Sequence, residues 1–174
     1  NYFIVMADEY TLNEHNKEEF PPAHTAEHLL NQLMQRMFGC ERSNNAHVER
    51  KKSKISYILD HKPDRHEERE IEQEMNALIE RDMPVVYEYV TRAELEGMVM
   101  EAPDGSPDSR LSLERLPEDA SETIRLVRIG DYDVCPCIGK HVRSTSQIGR
   151  FELLGTNWDE MKKSFRVRFK VVVQ

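Results

Sequence analysis

The chain is short of the residues that define several protein classes. Its three cysteines (Cys40, Cys135 and Cys137) are too few and too oddly spaced for a disulfide scaffold. Seven glycines and eight prolines in 174 residues exclude collagen-like and low-complexity chains. No apolar run approaches the ~20 residues needed to cross a bilayer, so no membrane partner is expected. Asn1 to Ala7 lacks the basic start and long apolar stretch of a secretory signal. Positive charge is also in deficit: 24 Lys and Arg face 32 Asp and Glu, a net charge of −8. A chain that coats nucleic acid through its phosphates usually carries the opposite sign. DNA is therefore not an expected partner, and contact with RNA would need a local basic patch. Few, unpaired cysteines point to a reducing compartment, with the cytoplasm as the expected location.

What is present suffices for one packed domain spanning residues 1–174. A chain of this length can bury roughly 70% of its unfolded surface, and 39% of its residues are hydrophobic. Residues 3–6 read as a short strand. Between Ala23 and Phe38 the apolar residues Ala26, Leu29, Leu30, Leu33, Met34, Met37 and Phe38 recur at helical spacing, and Gly39 stops the run. Residues 54–59 read as a strand. Asp64 and Glu67 form a capping-box pattern that opens a helix running to about Asp82, with Ile71, Met75, Leu78 and Ile79 as its apolar stripe. Pro84 to Val90 is β-rich, and Thr91 with Glu94 opens a short helix ending near Gly97. Residues 101–122 read as a long loop or excursion. Strands are predicted over 123–129, 132–135, 148–154 and 164–173. The last alternates, with Phe165, Val167, Phe169 and Val171 on one face and Arg166, Arg168 and Lys170 on the other. Helices and strands mix without βαβ regularity, which predicts an α+β fold with a largely antiparallel sheet.

Two short segments carry chemistry. His24 and His28, at i and i+4, share one face of the first helix. The apolar stripe centres roughly opposite, so the pair is expected off the core. This is not the zincin motif, since Thr25 stands where the metalloprotease glutamate would. Cys137-Ile-Gly-Lys-His141 is the second segment, with Gly139 permitting the turn that lets Cys137 and His141 bite one ion. Either segment alone is an ordinary surface pair or loop. Together they supply three nitrogens and a sulfur, a set suited to tetrahedral Zn²⁺. Cys135 could compete as a ligand or simply end a strand.

His24-Thr-Ala-Glu-His28-Leu-Leu resembles the first signature of the editing domain of alanyl- and threonyl-tRNA synthetases. Cys137-Ile-Gly-Lys-His141-Val-Arg-Ser-Thr145-Ser-Gln-Ile148-Gly149-Arg-Phe151 resembles its second, C-x-G-x-H-V-x-x-T-x-x-I-G-x-F. The likeness spans roughly Ala23 to Leu154 and is nearest to free-standing alanyl-tRNA editing proteins of the short AlaX type. It implies an α+β fold in which His24, His28, Cys137 and His141 hold zinc at a cleft. It also implies a mischarged tRNA as partner, tRNA(Ala) first, and hydrolysis of the ester joining serine to its 3′ end. A non-catalytic zinc-stabilised RNA-binding module and a threonyl-type editing domain are the alternatives.

The sequence departs from the pattern in places. Where family members often carry Gln after the first helix, this chain has Arg42-Ser-Asn-Asn-Ala-His47, with Ser43, Asn44 or His47 as replacements. Lys140 precedes the last histidine in place of a small residue or Thr. The Gly-rich β-barrel of longer members is missing. Ser43, Asn44 and Thr145 are candidates to bond the serine hydroxyl. Two basic clusters could meet tRNA phosphates, or be plain solvated faces: Arg50, Lys51, Lys52 and Lys54, and Lys162, Lys163, Arg166, Arg168 and Lys170. Lys51, Lys52, Lys140, Arg166 and Arg168 are the foremost tRNA contacts expected.

Overall fold

A computed structural model describes residues 3–6, 19–97 and 123–174. The expected excursion at 101–122 lies outside the described residues. Among the described residues, eight strands form two four-stranded antiparallel sheets, with three helices, as the α+β reading requires.

The first sheet runs β1 (Phe3–Met6), β4 (Val85–Thr91), β5 (Thr123–Ile129), β6 (Asp133–Pro136). The second runs β2 (Asn45–His47), β3 (Ser53–Ile58), β8 (Ser164–Val172), β7 (Arg150–Asp159). Alternation in β8 sets its register: Phe165, Val167, Phe169 and Val171 are buried, while the intervening cations lie on the other face. Each large side chain in that row contributes roughly 1.5–3 kcal/mol by burial. Phe169 stacks on Phe151 of β7 with ring centroids 5.0 Å apart.

Helix α1 (Pro21–Phe38) is the hinge of the design, packing on β6 of the first sheet and β8 of the second. Two prolines start it and Gly39, at φ 67°, ends it. Helix α2 (Arg65–Glu80) lies beside α1 and β7. Its capping box is formed in full: Glu67 N–H donates to Asp64 Oδ1 (2.8 Å) and Asp64 N–H to Glu67 Oε1 (3.0 Å). The short α3 (Arg92–Gly97) is capped by Thr91, whose Oγ1 accepts from Glu94 N–H at 3.1 Å. One continuous core joins α1, α2 and both sheets, and a smaller cluster of Val90, Leu95, Ile124 and Leu126 sits under α3.

Two expectations need correction, and one strand was not expected. First, α1 is buried on more than its apolar stripe: Thr25, His28 and Asn31 are interior as well. The reason is that both sheets and the 137–142 segment pack around it, covering the face expected to be open. Second, residues 145–148 make a short 3-10 turn, and β7 begins at Arg150 and runs on to Asp159. A bulge between Leu153 and Gly155 carries the strand past its expected end at Leu154. The unexpected strand is β2, a short exposed edge strand with no apolar alternation to reveal it.

Candidate metal centre

His24 and His28 stand one turn apart on α1, and Cys137 and His141 come from the loop leaving β6. One ligand atom of each lies within 4.8 Å of the others. The three imidazoles form a tight group, with centroids 5.2 Å apart for His24–His28, 4.2 Å for His24–His141 and 4.5 Å for His28–His141. His24 Nε2 lies 3.5 Å from Cys137 Sγ. Position 139 has to be glycine: a Cβ there would lie 2.2 Å from His24 Cε1. A side chain would push the loop off the helix.

Each ligand is held from behind. His24 Nδ1 donates to the Lys140 carbonyl at 3.1 Å, which turns Nε2 toward the cluster. Thr25 Oγ1 lies 2.9 Å from His141 Nδ1 and also accepts from Val142 N–H at 3.2 Å. His141 Nε2 is left buried and without a partner. Behind His28, the buried Asp133 carboxylate lies 3.8 Å from Nδ1, itself a buried nitrogen without a hydrogen bond. Asp133 is fixed by Arg42 (2.6 and 3.2 Å) and Gln32 (3.0 Å). The loop is gripped by Arg125, which donates to the carbonyls of Cys137 (2.7 Å) and Gly139 while its guanidinium lies 3.9 Å from the Tyr87 ring centroid. Tyr87 Oη accepts from His141 N–H at 3.1 Å.

The charge states suit a metal. Burial holds the imidazoles of His28 (4% exposed) and His141 (3% exposed) well below their usual pKa, so both are neutral at pH 7. Burial would push the Cys137 thiol up, but its hydrogen bond and charge interaction with His24 pull it below the ordinary range. That contact lifts His24 to about 9 against the effect of burial. Thiolate and neutral imidazole are the metal-binding forms, so ion entry would displace a proton from His24. The donor set, the orphaned buried His141 Nε2 and the lowered thiol all fit a borderline-soft ion such as zinc. Cys135 stays outside the group; burial pushes its thiol up to about 12. Glu27 borders the group, with Oε2 at 3.8 Å from His24 Nε2 and its carboxyl raised by burial.

The other site candidates fall into place less uniformly. Ser43 Oγ donates to the Ser56 carbonyl (2.6 Å) and accepts from Asn45 N–H (3.1 Å), tying β2 to β3. Asn44 is exposed at the start of β2, and His47 pairs with Glu49 at 2.6 Å. Thr145 is wholly buried, its hydroxyl accepting from Met83 N–H (2.9 Å) and facing the Leu78 and Ile79 carbonyls, both at 3.2 Å. It pins the end of α2. Lys140 is exposed beside His141. Lys51 and Lys52 occupy the exposed β2–β3 turn, and Arg166 and Arg168 the outer face of the second sheet.

The supports behind the ligands were not found by sequence reasoning. Asp133 and Arg42 read as a strand end and a polar connection. Arg125, a lone cation inside Ile124-Arg-Leu126-Val127, was the one available signal of a buried charge.

Comparison with known proteins agrees with this geometry. Residues 124–167 match the family described as the threonyl and alanyl tRNA synthetase second additional domain. The chain is 29% identical over 147 residues to the alanyl-tRNA editing protein AlaX-L of Pyrococcus horikoshii, covering 84% of this chain and 32% of that protein. It is 30% identical over 134 residues to the alanine–tRNA ligase of Halorubrum lacusprofundi (76% of this chain, 13% of the ligase). It is 27% identical over 160 residues to the threonine–tRNA ligase of Thermotoga neapolitana (88% of this chain, 24% of the ligase). The chain thus spans about a third of the editing protein's length and less of the ligases'. By these likenesses the chain is similar to the threonyl and alanyl tRNA synthetase second additional domain. Among the relatives that carry it, the similarity includes an alanyl-tRNA editing protein.

Proposed function

We propose that the chain is a metal-dependent trans-editing hydrolase acting on mischarged tRNA(Ala), with Ser-tRNA(Ala) as its first substrate. The observation that carries this reading is the partly buried three-nitrogen, one-sulfur cluster in a relative of alanyl-tRNA editing proteins. The work is in keeping with translation quality control in the cytoplasm; no helix among the described residues is long and apolar enough to cross a membrane.

An aminoacyl ester is already activated, so placement and one proton transfer suffice. Zinc, when bound, supplies a positive centre that lowers the pKa of a water or polarises the ester carbonyl. His24, His28, Cys137 and His141 would hold it. Glu27 is the carboxylate placed to take the proton of the attacking water. The exposed amide of Asn44 is the remaining candidate to bond the serine hydroxyl, with Ser43 and Thr145 engaged in the fold. A site that bonds this hydroxyl is left with an unpaired polar group by alanine, and so spares Ala-tRNA.

One observation favours a second reading. The four side chains can close a tetrahedral shell by themselves, the arrangement of a structural zinc. The chain would then be a zinc-stabilised RNA-binding module. Deacylation assays with Ser-, Gly- and Ala-charged tRNA(Ala), and Ser-charged tRNA(Thr) for the threonyl-type alternative, separate these readings. Selective loss of Ser-tRNA(Ala) supports the proposal. A folded, zinc-loaded protein that leaves every substrate at its buffer rate overturns it.

A further inference from the structure

A groove of about 560 Å³ opens where the start of α1 meets the end of β8. Its apolar lining is Phe20, Pro22, Val171 and Val173. Its rim is Arg50, Lys51 and Lys170, and among the described residues no carboxylate lines it. Arg50 lies over the Phe20 ring, 4.3 Å from the centroid. The groove also sits close to the candidate metal centre. The Phe20 carbonyl accepts from His24 N–H at 3.1 Å, so the aromatic floor lies one helical turn, about 6 Å of rise, before the first ligand.

The groove continues a track of cations. Lys54 of β3 stands directly opposite Arg168 of β8, with Arg166 two residues before and Lys170 two residues after on the same face. Arg166 to Lys170 covers about 13 Å along the strand. Like charges directly opposite destabilise a sheet. Among the described residues Lys54, Arg166 and Arg168 have no acidic partner, in a chain of net charge −8; Lys170 shares Glu152 at 3.3 Å. Arg168 lies flat over Gly155, where a Cβ would be 2.5 Å from its guanidinium, and its buried Nε has no hydrogen bond.

We infer that this groove seats the single-stranded 3′ end of an RNA, its last bases against Phe20 and its phosphates on Arg50, Lys51 and Lys170, with the outer face of the second sheet carrying the strand that leads to it. The inference rests on the proposed tRNA reading. An aromatic face flanked by cations is how single-stranded ends are held without a sequence code. An acidic peptide would use the cations but has no need of the aromatic face beside them.

The test measures binding of a fluorescein-labelled single-stranded RNA ending in CCA to the zinc-loaded full chain. The variants are Phe20→Leu, Phe20→Trp, Lys51→Glu and, as a charge-matched control on the exposed side of α2, Arg69→Glu. Lys51→Glu and Phe20→Leu should each weaken binding at least about fivefold. Phe20→Trp should hold it, and Arg69→Glu should leave it within twofold. Equal weakening by Arg69→Glu, unchanged binding in Phe20→Leu, or full displacement of the RNA by a poly-glutamate peptide overturns the inference. Deacylation kinetics keep this separate from the hydrolase reading. Activity with the same KM in Lys51→Glu as in the parent removes the groove and leaves the hydrolase. Groove-dependent RNA binding without turnover removes the hydrolase and leaves the groove.

Discussion

At the scale of single residues, the candidate site depends on groups that are not ligands. Gly139 is one: a methyl group there would occupy the space of the His24 ring. Gly139→Ala should lower zinc affinity by at least tenfold while the remote core stays folded, as read by competition with a chromophoric chelator and by near-UV circular dichroism. Unchanged affinity would show that the loop can retreat without cost. Thr25 is another, holding His141 Nδ1 so that Nε2 faces the cluster. Loss of such a support typically costs 10–100-fold in metal affinity. Thr25→Val should fall in that range and Thr25→Ser should recover most of it; equal affinities for the two would remove the orienting role. The four convergent residues were legible in the sequence because His24/His28 and Cys137/His141 each have a local spacing. Asp133, Arg42 and Tyr87 were not, because each acts across a long stretch of chain; Arg125 had only its apolar neighbours as a local sign of burial.

At the scale of elements, period and capping made most of the fold readable. The Asp64/Glu67 box starts α2 where expected, and Gly39 ends α1. The alternation of β8 gave its buried face, whereas β2 and the far half of β7 were hidden. A three-residue exposed edge has no burial pattern, and a bulge at Leu153/Gly155 breaks the period that a strand is recognised by. The histidine face of α1 was misread because helical periodicity locates the apolar stripe but cannot reveal a loop folding over the polar side. The β8 register carries a direct consequence. Phe169→Ala should cost about 3–5 kcal/mol, while Arg168→Ala, on the outer face, should cost far less. Urea unfolding of both variants checks this, and comparable midpoints would mean the register is wrong.

At the scale of the whole molecule, protonation is linked to folding. His28 and His141 are held neutral in the folded chain but titrate near 6.5 once unfolded. Below about pH 6.5 the unfolded chain takes up protons that the folded chain refuses, so stability falls as pH falls, by up to ~1.4 kcal/mol per pH unit for each such histidine. His24 works the other way: raised to about 9, it favours the fold below 6.5 and loses that contribution as pH rises through 9. The lowered thiol of Cys137 offsets part of this loss, because the folded chain binds fewer protons there. The metal-free protein should therefore melt earlier at pH 5 than at pH 7, and His28→Gln should reduce that difference. A pH-independent melting temperature across this range would contradict the burial of both histidines.

The proposed activity requires that His24, His28, Cys137 and His141 form a single metal site on which ester hydrolysis depends. The measurement that tests it most directly is single-turnover deacylation of Ser-tRNA(Ala) by the purified chain, before chelation, after chelation, and after return of one equivalent of zinc. The expected result is hydrolysis well above the buffer rate, its loss with the metal while the chain stays folded, and its recovery at one zinc per chain, with Cys137→Ala failing to recover. Full activity in the metal-free, folded chain would contradict the claim, as would a zinc-loaded chain that hydrolyses no faster than buffer.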